Sequence, residues 1–306
     1  MVDEAVRRTD RAKPLWRRIW EFPLVALLVA VALCAIAIGV AGILTRLVIP
    51  PIPGVSFEQT ANVVALPLLV LVYVFVIARL GEHPRNDFKD PLWLRRLGAG
   101  LIGGAAVFSL AVLIAAALGI YRIVGLGDLS GMAAALVGAA IFPAVSEEML
   151  FRGILFRWLE EFGGSWAALL LTSALFGAAH LYNPNASMVA AVGIAIEAGV
   201  MLGAAYMLTR SLWLPMGLHA AWNFTQGEVY DIPVSGTKVH GMVDAQLSGP
   251  PLLSGNGFGL EASLIAIVVA TAFGLWLLWL AIRKGELVQP WWVRRRIPSN
   301  APPPGD

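Results

Sequence analysis

Charged residues and cysteines are both scarce in this chain of 306 residues. Only 14% of the residues are Asp, Glu, Lys or Arg, against about 25% in an ordinary soluble domain, and 58% are apolar. So few charges cannot cover a water-soluble fold, which excludes a soluble globule, a coiled coil and a disordered chain. The single cysteine, Cys34, excludes an intramolecular disulfide. The composition therefore predicts an integral membrane protein.

Long apolar stretches predict an all-α, polytopic membrane fold with about eight transmembrane helices. About 20 helical residues cross the hydrocarbon core, and most of the stretches have that length. The turn Asn183-Pro184-Asn185 divides the longest apolar part of the chain. The predicted spans are residues 22–44, 59–78, 97–121, 129–159, 165–182, 187–208, 211–226 and 262–282.

The distribution of Lys and Arg predicts the orientation. Six basic residues precede the first span, five lie between the second and third, and five follow the last, whereas the alternate loops hold little more than Arg46, Arg122 and Lys238. The positive-inside rule then places both termini in the cytoplasm and the loop 227–261 outside. The net charge of only +2 and this clustering favour membrane lipid over nucleic acid as the partner of the basic residues.

Three ionisable residues fall inside the fourth span, where each unpaired charge costs about 2.5–3.5 kcal/mol. Glu148 and Arg152 are four residues apart, so they share a helix face and can form an ion pair. Glu147 is turned about 100° away and lacks that partner. The alternative is that the whole cluster lies at the cytoplasmic boundary and reaches into water.

Two histidines also lie inside predicted spans, His180 in the fifth and His219 in the seventh. Counted from the loop near residue 163, Glu147 is 16 residues back and His180 is 17 residues forward, so both lie at nearly the same depth in antiparallel neighbours. We expect Glu147, His180 and His219 to converge in the inner half of the membrane. Phe176 and Asn223 each share a helix face with one histidine.

A carboxylate and two imidazoles at one depth are sufficient to activate a water molecule. Either they hold a divalent metal such as zinc with an open position, or Glu147 acts as a general base while the histidines and Asn223 stabilise an oxyanion. The competing interpretation of each histidine is an interhelical hydrogen bond. Glu197, in the sixth span, is either a further ligand or proton relay, or a packed or water-facing residue.

These residues carry a resemblance to a known family. Glu147-Glu148-Met-Leu-Phe-Arg152 is similar to the EExxxR motif of the CPBP intramembrane proteases, the family of CAAX prenyl protease 2 and the Abi and bacteriocin-processing proteins. Phe176-Gly-Ala-Ala-His180 is similar to its FxxxH motif and His219-Ala-Ala-Trp-Asn223 to its HxxxN motif, in the same order. The resemblance covers residues 129–226, which we interpret as a catalytic core of four helices. Residues 1–128 form an N-terminal segment with three spans, and residues 227–306 an outer loop, the last span and a tail.

The resemblance implies an endopeptidase that hydrolyses a peptide bond at the membrane, with a chamber that we expect to open toward the cytoplasm. Glu147 is then the base or metal-associated carboxylate, His180 and His219 are water or metal partners, and Asn223 is the oxyanion stabiliser. Glu148, Arg152 and Phe176 support the site. The expected substrate is a membrane-associated protein or peptide, for example a prenylated tail, a leader peptide or a membrane segment. A non-catalytic immunity or scaffold protein and an ion-coupled transporter are the alternatives.

Overall fold

The computed structural model describes residues 14–51 and 56–294, and this part of the chain is predominantly helical with one two-stranded sheet. Six of its helices are long and apolar enough to cross a membrane, which confirms an all-α polytopic membrane protein. One of the six, residues 132–182, is broken at Gly164, whose φ is 83°. The helix that carries His219 is shorter than a full span, so the count of eight stays a prediction.

Thirteen α-helices and two strands form the described chain, joined by short 3-10 turns. They are α1 (Leu15–Trp20), α2 (Pro23–Val48), α3 (Phe57–Phe75), α4 (Trp93–Ala117), β1 (Tyr121–Leu126), α5 (Met132–Ala135), α6 (Phe142–Glu148), α7 (Arg157–Ala179), α8 (Met188–Ile194), α9 (Val200–Thr209), α10 (Trp213–Phe224), β2 (Val243–Leu247), α11 (Pro251–Ser254), α12 (Leu264–Arg283) and α13 (Trp291–Arg294).

Four stretches of π-helix interrupt the helices that carry the predicted site. Wide π-turns are rare and change the direction in which side chains leave a helix, which is one reason they occur at functional sites. The four π-helical stretches of this chain are Leu136–Ile141, Met149–Phe156, Ala195–Gly199 and Thr225–Val229.

The bundle has two ends, which we name the terminal face and the loop face. The terminal face holds the start of α2, the break at Gly164 and residues 284–294, because Phe22 contacts the rings of Phe162 and Trp291 at 5.8 and 6.3 Å. Helices run alternately between the two ends, so the loop face holds residues 118–131, 180–187 and 230–263. Arginines 7, 8, 11, 295 and 296 lie outside the described residues.

A seam of glycines sets the position of α10 against α4. A Cβ on Gly100 would lie 2.5 Å from the Leu214 carbonyl oxygen, and a Cβ on Gly104 would lie 2.3 Å from that of Leu218. A Cβ on Gly217 of α10 would likewise lie 2.6 Å from the Leu97 carbonyl oxygen of α4. Small residues spaced in this way allow the backbones of two membrane helices to come close together. The seam therefore determines where α10 presents His219.

A small antiparallel sheet on the loop face was not expected from the sequence. Strand β1 pairs with β2, with an irregularity between Ile123 and Gly125. The Asp231 carboxylate accepts hydrogen bonds at 3.1 Å from the backbone N–H groups of Gly241 and Ala245. The long loop before α12 is thus attached to the bundle on this face.

Candidate active site

The two adjacent carboxylates of α6 have different surroundings. Glu148 is fully buried, and its Oε1 accepts a hydrogen bond at 3.0 Å from Arg152, which is 1% exposed. This is the ion pair that the spacing of four residues predicts. Glu147 has no such partner among the described residues. One of its oxygens, Oε2, is buried and accepts no hydrogen bond from any of them.

Arg152 joins three elements around Glu148. Its NH2 group donates to the carbonyl oxygens of Ala198 and Gly199 at 3.2 and 3.3 Å, in the π-turn before α9. Its guanidinium also lies 4.8 Å from the centre of the Phe176 ring on α7. A cation over an aromatic face is attracted by the ring quadrupole. Phe176 therefore supports the ion pair and contacts both predicted histidines, with ring centres 4.8 Å from His180 and 6.2 Å from His219.

Both histidines are oriented through Nδ1. His219 Nδ1 lies 2.9 Å from Glu148 Oε1, and His180 Nδ1 lies 2.7 Å from the Phe176 carbonyl oxygen. Because both partners can only accept, we assign the Nδ1 proton to each ring, and each Nδ1–H donates. The Nε2 atom of each ring is left for a ligand or a water. A fixed Nδ1 hydrogen bond of this kind is how proteins orient working imidazoles.

One cavity collects the predicted residues. It has a volume of about 600 Å³, and its wall includes Glu147, His180, His219 and Asn223. The Asn223 amide donates to the Ala139 carbonyl oxygen at 3.0 Å, which ties α10 to the first π-turn. The four side chains come from three separate helical segments. The equal depth expected for Glu147 and His180 agrees with this arrangement.

A second, smaller cavity of about 30 Å³ lies on the other side of the two histidines. Its wall includes Glu197, which is 1% exposed and has a buried Oε2 atom without a partner among the described residues. The volume is sufficient for a water molecule. Glu261 lines the same cavity from the loop face, and burial raises the pKa of this carboxyl to about 7. Glu197 thus lines the smaller cavity and is not in the wall of the 600 Å³ cavity that includes Glu147, so its role stays a prediction.

The direction in which the site opens differs from the expectation. The 600 Å³ cavity continues to Glu58 at the start of α3 and to Lys238 and His240 in the long loop, all on the loop face. His180 follows the last residue of α7, so it lies at the loop-face end of that helix. Seventeen residues at 1.5 Å each cover about 25 Å, most of a core about 30 Å thick. Glu147 and His180 thus line one cavity that opens on the loop face, which the distribution of Lys and Arg predicts to be non-cytoplasmic. The predicted orientation and the expected cytoplasmic opening therefore cannot both hold.

A metal at the site is tested by the positions of its donors. Glutamate and two histidines are donors that zinc prefers, and tetrahedral ligands lie about 3.5 Å apart. Among the described residues, three such side chains have ligand atoms within 4.8 Å of one another in Glu82, His83 and Glu161, on the terminal face. The ligand atoms of Glu147, His180 and His219 are not grouped as closely in this arrangement, and a metal held by all three stays a prediction.

The comparison with protein families matches the part of the chain that carries the predicted site residues. Residues 129–225 match the family model described as type II CAAX prenyl endopeptidase Rce1-like. This match, over about a third of the chain, supports an Rce1-like domain of the CAAX protease family. The domain contains all of the predicted site residues and ends at the last turn of α10. No curated protein and no solved structure matches the chain.

Several cavity residues lie outside the Rce1-like domain and were not found from the sequence. Glu58, Gln59 and Asn62 form a polar stripe at the first turns of α3, and residues 234–240 form the opposite wall. Polar residues at the start of an otherwise apolar span indicate a functional site only weakly, because capping of the helix N-terminus explains them equally well. Ser56 and Gln59 do form a capping box there. Nothing in the loop sequence indicates that it covers the site.

Proposed function

We propose that the chain is an intramembrane endopeptidase in which Glu147 takes a proton from the water that attacks the peptide carbonyl. One observation carries the proposal: a carboxylate with an unpartnered oxygen shares a cavity with two histidines whose Nδ1 atoms are already occupied. A general base needs an oxygen free for the water, and its helpers need fixed rings. Glu148 also has an unpartnered oxygen, Oε2, but this residue is not in the wall of the cavity, and Arg152 and His219 both bind its Oε1.

Each side chain has one part in the proposed reaction. His180, neutral with its proton on Nδ1, accepts a hydrogen bond from the water at Nε2 and orients it. Glu147 accepts the other water proton as the oxygen adds to the carbonyl carbon. His219, as an imidazolium paired with Glu148, donates from Nε2 to the oxyanion, together with the Asn223 amide. Glu147 then gives its proton to the amide nitrogen, the C–N bond breaks, and a carboxyl and an amine are released.

No step of this reaction passes through a metal. Zinc bound at such a site lowers the pKa of its water to about 7, but the ligand atoms of the three donors are not closely grouped in this arrangement. Whether cleavage depends on a metal is therefore to be measured. A chelator that abolishes cleavage, with restoration by zinc, would replace the metal-free reaction by a zinc-dependent one in which the donors move closer together.

The deciding experiment compares wild type with Glu147→Gln, which keeps the shape of the side chain and one acceptor oxygen and removes the base. Both proteins are purified in lipid, incubated with a library of membrane peptides, and analysed by mass spectrometry with and without chelator. We expect Glu147→Gln to lose at least about 100-fold in cleavage rate, within the range of about 10²–10⁴ for general-base catalysis. Asp244→Asn, an exposed carboxylate on β2, is the matched control and should cleave like wild type.

The same experiment can refute the proposal. Equal cleavage by Glu147→Gln and wild type, with both proteins folded, would remove Glu147 from its part. No cleavage by a folded wild type would favour the non-catalytic membrane protein of the same fold. Proton-coupled flux in liposomes that depends on Glu147 would favour the transporter.

A further inference from the structure

The wall of the 600 Å³ cavity belongs to one end of the bundle. Moving outward from Glu147, the lining continues through Asn183, after α7, and through Glu228, after α10. It ends on Lys238 and His240 in the long loop. All of these outer positions lie at or beyond helix ends on the loop face. The cavity volume is within the range of ligand sites, so a peptide segment of a few residues can enter.

Buried hydrogen bonds fix the loop part of this wall. The Glu261 carboxylate accepts the backbone N–H of Ser235, and the Gln226 amide donates to the Pro233 carbonyl oxygen. Gln226 in turn accepts a hydrogen bond from the Trp222 indole at 3.0 Å. Trp222 and Gln226 follow His219 along the same helix. The loop is thus held by the element that carries the site, and the opening is a built feature of the fold.

The charges of the two faces differ strongly. Among the 16 described Lys and Arg residues, twelve belong to the terminal face, and Arg152 is buried within the bundle. The loop face has only Arg46, Arg122 and Lys238 among them. Short segments rich in Lys and Arg remain on the cytoplasmic side of a membrane. The terminal face is therefore the cytoplasmic one, and the cavity opens on the opposite side.

We infer that the substrate of this site is a peptide segment exposed on the non-cytoplasmic side of the membrane. The inference rests on the proposed peptidase function. It excludes a prenylated tail on the cytoplasmic side, because the cavity that holds Glu147 opens on the opposite face. The segment belongs to a membrane-anchored or secreted protein and enters between α3 and the loop 234–240, where it reaches Glu147 from outside.

The first test measures orientation and does not depend on activity. The single native cysteine allows a Cys34→Ala background, in which Lys238→Cys and Gln246→Cys report the loop face and Lys284→Cys reports the terminal face. Intact cells are treated with a membrane-impermeant maleimide, before and after permeabilisation. We expect the two loop-face cysteines to be labelled in intact cells, and Lys284→Cys to be labelled at least tenfold more after permeabilisation. The reverse pattern overturns the inference and leaves the proposed function standing.

The second test measures the side from which cleavage occurs. Right-side-out and inverted membrane vesicles, carrying wild type or Glu147→Gln, receive a pool of membrane-impermeant quenched peptides. We expect the Glu147-dependent cleavage to be at least tenfold faster in right-side-out vesicles. Faster cleavage in inverted vesicles overturns the inference. Absence of Glu147-dependent cleavage in both kinds of vesicle, with the labelling pattern as expected, contradicts the proposed function and with it the substrate, while the orientation stands.

Discussion

Replacing Arg152 by methionine should separate the structural support of the site from its chemistry. The guanidinium is 1% exposed, donates to the fully buried Glu148 and to two backbone carbonyl oxygens, and lies over Phe176. Methionine keeps most of the volume but leaves the Glu148 carboxylate without its cation. Breaking a buried ion pair by removing one partner costs about 3–5 kcal/mol.

This cost translates into a measurable change in Tm. At about 2–4 °C per kcal/mol for chains of a few hundred residues, Arg152→Met should lower Tm by about 6–20 °C. The 11 tryptophans give the intrinsic fluorescence with which unfolding in lipid or detergent is followed. Arg122→Met, which changes an exposed arginine of β1, is the matched control and should leave Tm unchanged.

The double variant Glu148→Gln/Arg152→Met tests the reasoning itself. Both substituted side chains are neutral, so no buried charge is left without a partner, and the double variant should lose less stability than the sum of the two single variants. The loss of unfolding free energy in the double variant should be smaller than the sum of the two single losses by at least about 1 kcal/mol, since contacting residues show coupling energies of about 0.5–3 kcal/mol. Additive losses, or an Arg152→Met variant within about 2 °C of wild type, would show that the pair does not stabilise the fold as argued.

Two further predictions follow from the seam and from the loop. Gly104→Ala would place a Cβ 2.3 Å from the Leu218 carbonyl oxygen, so α4 and α10 must separate, with a loss of about 1–3 kcal/mol and at least about tenfold in cleavage rate. Gly98→Ala on the same helix meets nothing within 4 Å and is the control; equal effects of both would contradict the seam. Glu261, with its pKa raised to about 7, keeps a proton in the folded state that the unfolded chain loses, so stability should fall between about pH 4.5 and 7. In Glu261→Gln, the free energy of unfolding should fall by up to about 3 kcal/mol less over this pH range. The measurement is Tm as a function of pH, and a pH dependence equal to that of wild type would contradict the raised pKa of Glu261.

The membrane class and the core of the site were predictable from the sequence. Composition alone requires apolar surroundings, and spacing of four residues places Glu148 beside Arg152 and Phe176 beside His180. Counting residues from a common loop gave equal depth for Glu147 and His180, and the cavity contains both. These predictions succeed because they depend on the rise and the period of a helix, which are the same in every helix.

Contacts between separate elements could not be predicted in this way. The bond from His219 to Glu148 joins residues 71 apart in the chain, and it requires a rotation of α10 that the Gly100 and Gly104 seam sets. The pairing of β1 with β2 likewise depends on where the ends of α4 and the long loop meet. The face on which the cavity opens was not predictable for a related reason: residue counts give relative depth and do not show which loops leave room for an opening.

Two neighbouring carboxylates in an apolar bundle must each be compensated, and the structure compensates them by different means. Glu148 is offset by Arg152 and His219, so its charge needs no water. Glu147 has no ionic partner among the described residues, so its charge is tolerable only if water fills the cavity beside it. In the proposed reaction, the same hydration that makes the Glu147 carboxylate tolerable supplies the reactant for peptide hydrolysis. Because the cavity opens on the loop face, the proposal requires the compartment on that side to provide both the nucleophile and the peptide.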